Sequence, residues 1–225
     1  SFLTSKEWVY NTYNDLLDFI KNKVYATEQF IQPHVVDQIS DLLDRNDYYK
    51  TDTHWRQEQI TDVADRLAAA MGTTSIQDYE KKTVEQDFYG VYVGQSALPL
   101  KPDSLCYLTN DTLEQCKVYD YQNNRPGFVY DFQRASGKDP YELFLSGPIS
   151  LITMENPTAE NSRELILFRD SFGSSIAPLL LDGYSKITLV DTRYIHPDLL
   201  GKFVDFRGCD VLFLYSILVL NTFSF

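Results

Sequence analysis

The sequence predicts an α/β fold built on a mostly parallel sheet, and three observations carry that reading. Leu165-Ile166-Leu167-Phe168 is an apolar run too short for a helix, so it reads as a buried strand. The chain then turns polar at Arg169-Asp170-Ser171, passes Gly173, becomes helical through Ile176, Leu179 and Leu180, and reaches a second apolar run at Ile187–Val190. A strand, a tight turn, a helix stopped at Gly183 and a second strand make a βαβ unit, which requires parallel strands. A third run, Val211-Leu212-Phe213-Leu214-Tyr215, extends the series after a helix expected over Pro197–Phe203.

Composition bounds the rest. The 225 residues are 44% hydrophobic and 23% charged, which fits one globular domain with a sizeable core, with two small lobes as the alternative. A formal charge of −12 argues against nucleic acid or anionic lipid as the main partner, because phosphate binding depends on basic patches. The 16 Tyr and 14 Phe either fill the core and strands or furnish platforms for sugars. Val211–Leu220 is about half the length of a membrane span. The chain starts at Ser1 without methionine, so a signal or anchor is expected upstream. Three cysteines give no metal spacing. Cys106 and Cys116 either bridge a hairpin or stay reduced, with Cys209 in an apolar strand-like setting.

The N-terminal elements are helical. Thr4 and Glu7 have capping-box spacing, and Val9, Tyr13, Leu16, Leu17, Ile20 and Val24 recur at helical intervals. A second helix is expected from Pro33, with Val36, Ile39, Leu42 and Leu43 on one face, ending near Arg45-Asn46-Asp47. A third is marked by Ile60, Val63, Ala64, Leu67, Ala68 and Met71, and Gly72 ends it. Between residues 83 and 161 the character changes. Gly90, Gly94, Pro99, Pro102, Asn110, Asn123, Pro126 and Gly127 punctuate short runs at 90–93, 106–108, 117–119 and 128–130. These read as strands and hairpins, a β-rich insertion or subdomain. Ile149–Thr153 is another strand.

Two stretches bear chemistry. Ser171 sits where a strand ends and a helix begins, with its hydroxyl at the carboxyl edge of the sheet and its N–H at a helix start. That suits an acyl-transfer nucleophile; it equally suits a helix N-cap. Upstream, Asp52 and His54 lie two apart in Thr51-Asp52-Thr53-His54-Trp55. In extended backbone they project to one side, so the carboxylate can fix the imidazole tautomer and stabilise the imidazolium. The alternative is that Asp52 or Thr53 caps the following helix and His54 is a surface residue. Arg193 and Tyr194 end the second strand on the same sheet edge as Ser171; a structural ion pair is the competing role for Arg193.

Tyr48-Tyr49-Lys50-Thr51-Asp52-Thr53-His54-Trp55, followed in order by Arg169-Asp170-Ser171-Phe172-Gly173, Asp191-Thr192-Arg193-Tyr194 and Asp210–Tyr215, resembles the DHHW family of bacterial envelope proteins. That family is similar to the SGNH-like domains of alginate O-acetyltransferases. The resemblance implies a single SGNH-hydrolase-like domain over 1–225, three-layered, with helices flanking a mostly parallel sheet. It makes Ser171 the nucleophile, His54 the base and Asp52 its orienting acid. It implies O-acetyl transfer to, or removal from, a cell-envelope polysaccharide outside the cytoplasm. An acetyl donor and a membrane acetyl-delivery protein become the expected partners, with no cofactor or metal. A non-catalytic carbohydrate-binding or envelope-assembly protein that keeps the fold is the other reading. Two departures stand out: Thr53 replaces the first His of the family's name, and Arg169 precedes Asp170 where SGNH enzymes have Gly. Oxyanion or substrate candidates are Arg193, Tyr194 and Asn221, with Gly147 a further oxyanion candidate.

Overall fold

In the computed structural model, residues 41–96 and 99–216 are described, together with Ile39 and Val219. The expected first helix and Asn221 lie outside the described residues. Of the second helix, only the end is described. Residues 41–42 form a turn, and Asp44 caps a single 3-10 turn, Arg45–Asp47, by accepting from the Asn46 N–H. Leu42 and Leu43 still pack on the core.

The remaining elements run in order as α1 (Thr61–Ala70), β1 (Glu80–Phe88), α2 (Val91–Ser96), β2 (Asp103–Thr109), α3 (Asp111–Gln115), β3 (Lys117–Asp120), β4 (Arg125–Pro126), α4 (Phe132–Ala135), β5 (Leu151–Glu155), β6 (Glu164–Arg169), α5 (Ser171–Ile176), β7 (Lys186–Val190) and β8 (Asp210–Leu214). α1 buries Val63, Ala64, Leu67 and Ala68. Gly72 (φ +67°) then turns the chain left-handed, a conformation that favours glycine.

The main sheet has six strands in the order β4-β3-β5-β7-β6-β8. β6 pairs in parallel with β7 and with β8, while β5–β7, β3–β5 and β3–β4 are antiparallel. The sheet is therefore mixed rather than mostly parallel. The βαβ pattern was visible because its strands are built on short, mainly apolar runs; β3 and β5 join by hydrogen bonding to an edge that no local pattern announces. The 83–161 stretch divides accordingly: β1 and β2 form a separate two-stranded sheet, and β3, β4 and β5 complete the main one. Val91–Ser96 is helical where a strand was expected. Asn110, expected in a turn, caps α3 by accepting from the Leu113 N–H. The expected helix at 197–203 is a 3-10 segment, Pro197–Lys202.

Alternate side chains of β6 and β7 enter two clusters, so the sheet is covered on both faces. Leu165, Leu167, Ile187 and Leu189 pack with α1, Ile176 and the 3-10 continuation Ala177–Gly183. Ile166, Phe168 and Val190 pack with Leu200, Val204 and Phe206. A smaller cluster joins Tyr49, Phe88, Leu105, Tyr141, Leu143 and Phe144 beneath the 49–54 loop. All three cysteines are free thiols, which resolves the Cys106–Cys116 question in favour of the reduced pair. No helix among the described residues is long and apolar enough to cross a membrane.

Candidate active site

Asp52 and His54 sit in a loop closed by an antiparallel bridge between Tyr48 and Trp55, with the Tyr49 N–H donating to the His54 carbonyl at 3.1 Å. The loop is stapled from outside. Thr51 donates its N–H and its hydroxyl to the Asp103 carboxylate, both at 2.8 Å, and its carbonyl accepts from the Tyr92 N–H. Within it, Asp52 Oδ1 accepts from the His54 N–H at 3.0 Å and lies 2.5 Å from His54 Nδ1. Asp52 Oδ2 accepts from the Val91 N–H at 2.9 Å. Both residues are buried, Asp52 to 1% exposure. Burial pushes the Asp52 carboxyl up, but the His54 hydrogen bond and charge and the Val91 and His54 N–H groups outweigh it, and the net shift is downward.

Across the site, β6 delivers Ser171 to the carboxyl edge of the sheet. The helix cap belongs to Asp170, whose Oδ1 accepts from the Phe172 N–H at 2.9 Å. Asp170 Oδ2 accepts from the Ser216 N–H at 2.6 Å, tying the turn to the chain after β8. Because Asp170 caps, the Ser171 hydroxyl is released for other work: its Oγ is 2.7 Å from His54 Nε2. The Asp52–His54–Ser171 relay is thus continuous. Asp52 caps nothing on α1, whose N-cap is Ile60 without a side-chain bond. The Ser171 N–H, at the first position of α5, has no preceding helical carbonyl to bond.

Sequence reading missed the groups that hold the base. The His54 ring stacks on Tyr141, with centroids 3.9 Å apart and planes 7° from parallel, and touches Phe172 at 5.2 Å. Ser175 Oγ accepts from the Tyr141 hydroxyl and from Trp55 Nε1, each at 2.7 Å, and donates to the Phe172 carbonyl at 3.3 Å. One serine, a helical turn beyond the nucleophile, so fixes both aromatic walls with every bond it can make. Burial holds the Tyr141 hydroxyl well above its usual range, which keeps it a donor. Gln57 donates to the Ser175 carbonyl at 2.7 Å and accepts from the Leu108 N–H at 2.8 Å, coupling β2 to the same turn. The spacing of Ser171 and Ser175 was legible; Tyr141, 34 residues from Ser175 in sequence, carried no signal.

In the sequence Gly90 stands out only as punctuation between short runs. A Cβ there would stand 2.2 Å from Asp52 Cβ and 2.7 Å from its Cα, so the glycine lets the β1–α2 corner close against the acid. Gly90→Ala should displace the 51–54 loop and lower turnover by about 10²-fold, the cost of a shift near one ångström in a catalytic group. Melting temperature and turnover, measured together, check this: a fully active Gly90→Ala would show that the corner yields instead. A cleft of about 220 Å³ opens beside this corner, lined by Tyr89, Gly90, Val91, Val93, Lys138, Asp139 and Pro140.

Arg193 and Tyr194 are at the end of β7 as expected, but neither hydrogen-bonds Ser171. Arg193 is committed to Asp191 through Nε at 2.8 Å and a terminal nitrogen at 2.6 Å, and lies over the Tyr194 ring at 5.3 Å. The Gly147 carbonyl accepts from Arg169. Thr53 is half-buried.

An acid, a base and a serine hydroxyl in unbroken contact at the carboxyl edge of a mixed α/β sheet define the geometry of serine-dependent acyl transfer. Over 98% of its length the chain has the fold of a DHHW family protein from Eubacterium siraeum, covering 86% of that chain at 18% identity and a TM-score of 0.67. It is also similar to PatB1 of Bacillus cereus with a sulfonyl adduct, over 97% of this chain and 75% of that one, at 18% identity and a TM-score of 0.60. A second structure of PatB1 from B. cereus matches over 92% and 75%, at 20% identity and a TM-score of 0.58. No protein-family model and no curated protein matches the chain.

Proposed function

We propose that this protein transfers O-acetyl groups to a cell-envelope polysaccharide through an acetyl-serine intermediate, working outside the cytoplasm. The observation that carries this reading is the Asp52–His54–Ser171 relay, at 2.5 and 2.7 Å. Ser171 Oγ attacks the acetyl carbonyl of the donor while His54 Nε2 takes its proton. The carbonyl re-forms as the donor oxygen leaves with that proton, giving acetyl-Ser171. A sugar hydroxyl then surrenders its proton to His54, attacks the acyl carbon and departs acetylated, restoring the serine. Asp52 stabilises the imidazolium in both halves. The Ser171 N–H is the first oxyanion donor. Arg193, held back by Asp191, would need to re-pair to serve as the second; an absent second donor costs about 10²–10³ in rate. The acetyl donor is delivered by a membrane partner in this scheme. When water replaces the sugar hydroxyl, the same steps make an acetylesterase.

Acetyl release from a small activated aryl acetate tests the reading. Ser171→Ala and His54→Ala should each fall to the uncatalysed background while melting like the parent. Equal rates in all three proteins would sink the catalytic assignment and favour the non-catalytic carbohydrate-binding reading. An aryl sulfonyl fluoride should add one sulfonyl mass to the parent and none to Ser171→Ala.

A further inference from the structure

Eight large hydrophobic side chains among the described residues are exposed, and three of the five aromatic rings outside the 89–92 corner gather on one edge of the main sheet: Tyr121 (40%), Tyr194 (54%) and Phe203 (52%). That edge carries Ser171. The parallel register pairs Phe168 with Val190, so Tyr194 follows β7 beside the turn on which Ser171 follows β6. β5 runs opposite and begins here: Leu151 pairs with Val190, and the Asp191 N–H donates to the Ser150 carbonyl at 2.9 Å. The Tyr121 N–H donates to the Leu151 carbonyl at 3.1 Å, and Gln122 accepts from the Ser150 N–H at 3.0 Å. Ser171, Tyr194 and Tyr121 therefore belong to the ends of β6, β7 and β3, in spatial order along one rim. At the usual strand spacing, β3 stands roughly 14 Å from β6.

The far end is an aromatic cluster. Tyr121 meets Phe203 edge to face at 6.3 Å and Tyr119 at 4.9 Å. Tyr119 is half-buried, so Tyr121 and Phe203 present the open ring surfaces. Nearer the serine, Arg193 is neutralised by Asp191 and backs the Tyr194 ring. A row of rings spaced along a rim, ending at a nucleophile, suits a linear polymer of flat-faced units that stack one by one. The chain's 32 acidic against 20 basic residues disfavour a polyanion.

We propose that this rim is the acceptor track, on which an uncharged polysaccharide lies with sugar rings stacked at Tyr194 and at Tyr121–Phe203 while a hydroxyl nearer the reducing or non-reducing end reaches acetyl-Ser171. The inference rests on the acetyl-transfer reading for its chemistry, but its binding component is measured separately. The experiment uses neutral β-linked N-acetylglucosamine oligomers from disaccharide to hexasaccharide as acceptors with an aryl acetate donor. In the parent, KM should fall as the acceptor lengthens. Tyr121→Ala/Phe203→Ala should remove that dependence and raise KM for the hexasaccharide about tenfold, two stacking contacts each worth about half a decade. Aryl acetate hydrolysis should be unchanged, and Tyr121→Phe, which keeps the ring, should behave as the parent. Calorimetric binding of the hexasaccharide reads the track even if hydrolysis is absent: binding that needs Tyr121 and Phe203 upholds the track while the catalytic reading falls. Parent-like KM and binding in the double variant would overturn it. So would a loss confined to Tyr89→Ala, which would route the glycan through the cleft beside Asp52. A dimer of the parent that the double variant dissolves would assign the rim to a second copy of this chain instead.

Discussion

Asp52→Asn should lower aryl acetate turnover by about 10⁴-fold while leaving the chain folded. Asp52 accepts at both oxygens: Oδ1 takes the His54 ring and N–H, and Oδ2 takes the Val91 N–H. Asparagine has one acceptor oxygen and one donor NH₂. Placed with its oxygen toward His54, it sets NH₂ against the Val91 N–H, two donors face to face. Flipped, it satisfies Val91 but donates to Nδ1, forcing the proton onto Nε2. That tautomer points a donor at Ser171 Oγ, 2.7 Å away, and cannot accept the serine's proton. The donor clash at Val91 disfavours the first arrangement, and the flipped one silences the base without removing it. The stability readout has a defined sign. The fold lowers the Asp52 carboxyl from its ordinary 3.8, so the folded state binds the proton less tightly than the unfolded one. Its contribution is fully present above 3.8 and is lost as pH falls through the lower folded value. The parent should therefore outmelt Asp52→Asn at neutral pH, and the gap should close in acid. A gap independent of pH would place the stabilising interaction elsewhere.

Arg169→Met should cost about 3 kcal/mol, at the lower end for one partner of a buried ionic network. In a chain of this size that is a fall of roughly 6–12 °C in melting temperature. Arg169 is wholly buried, two residues before the nucleophile. One terminal nitrogen donates to Ser174 Oγ at 2.9 Å and stands 3.8 Å from Asp191; the other donates to the Ile149 and Gly147 carbonyls at 3.2 and 3.3 Å. Burial lowers its pKa and the Asp191 charge opposes that shift. A methionine fills much of the volume but orphans those acceptors in a dry site. Arg169→Lys should rescue little, since a single ammonium cannot span both sides as the planar fork does. Arg193→Ala, removing Asp191's partially exposed partner, should cost less. Equal costs at 169 and 193 would mean that the ion pair, and not the carbonyl contacts, carries the stability. Gly173 belongs to the same arrangement, because a Cβ there would lie 2.4 Å from Arg169 Cβ.

What could be read from the sequence was local in origin. β6, the polar turn and β7 follow from apolar runs that only a doubly covered strand tolerates, and α1 follows from a 3.6-residue stripe ended by Gly72. Asp52, His54 and Ser171 were legible because acyl transfer needs those residue types at a strand end and in a short acid–base pair. Residues 54 and 171 meet only in the fold. That Asp170 takes the helix cap and leaves the Ser171 hydroxyl to His54 is a competition between adjacent side chains that spacing cannot adjudicate. The mixed sheet came from β3 and β5 pairing across long connections, where hydrogen bonds between distant backbones leave no periodic trace. Tyr141 beneath His54, Gly90 against Asp52 and Arg169 among the carbonyls are likewise contacts between segments far apart in the chain. Residue types and apolar runs are local properties, so the chemistry-bearing side chains and the buried segments are legible from the chain alone. Which of them touch depends on how the covered sheet brings remote loops to a common edge.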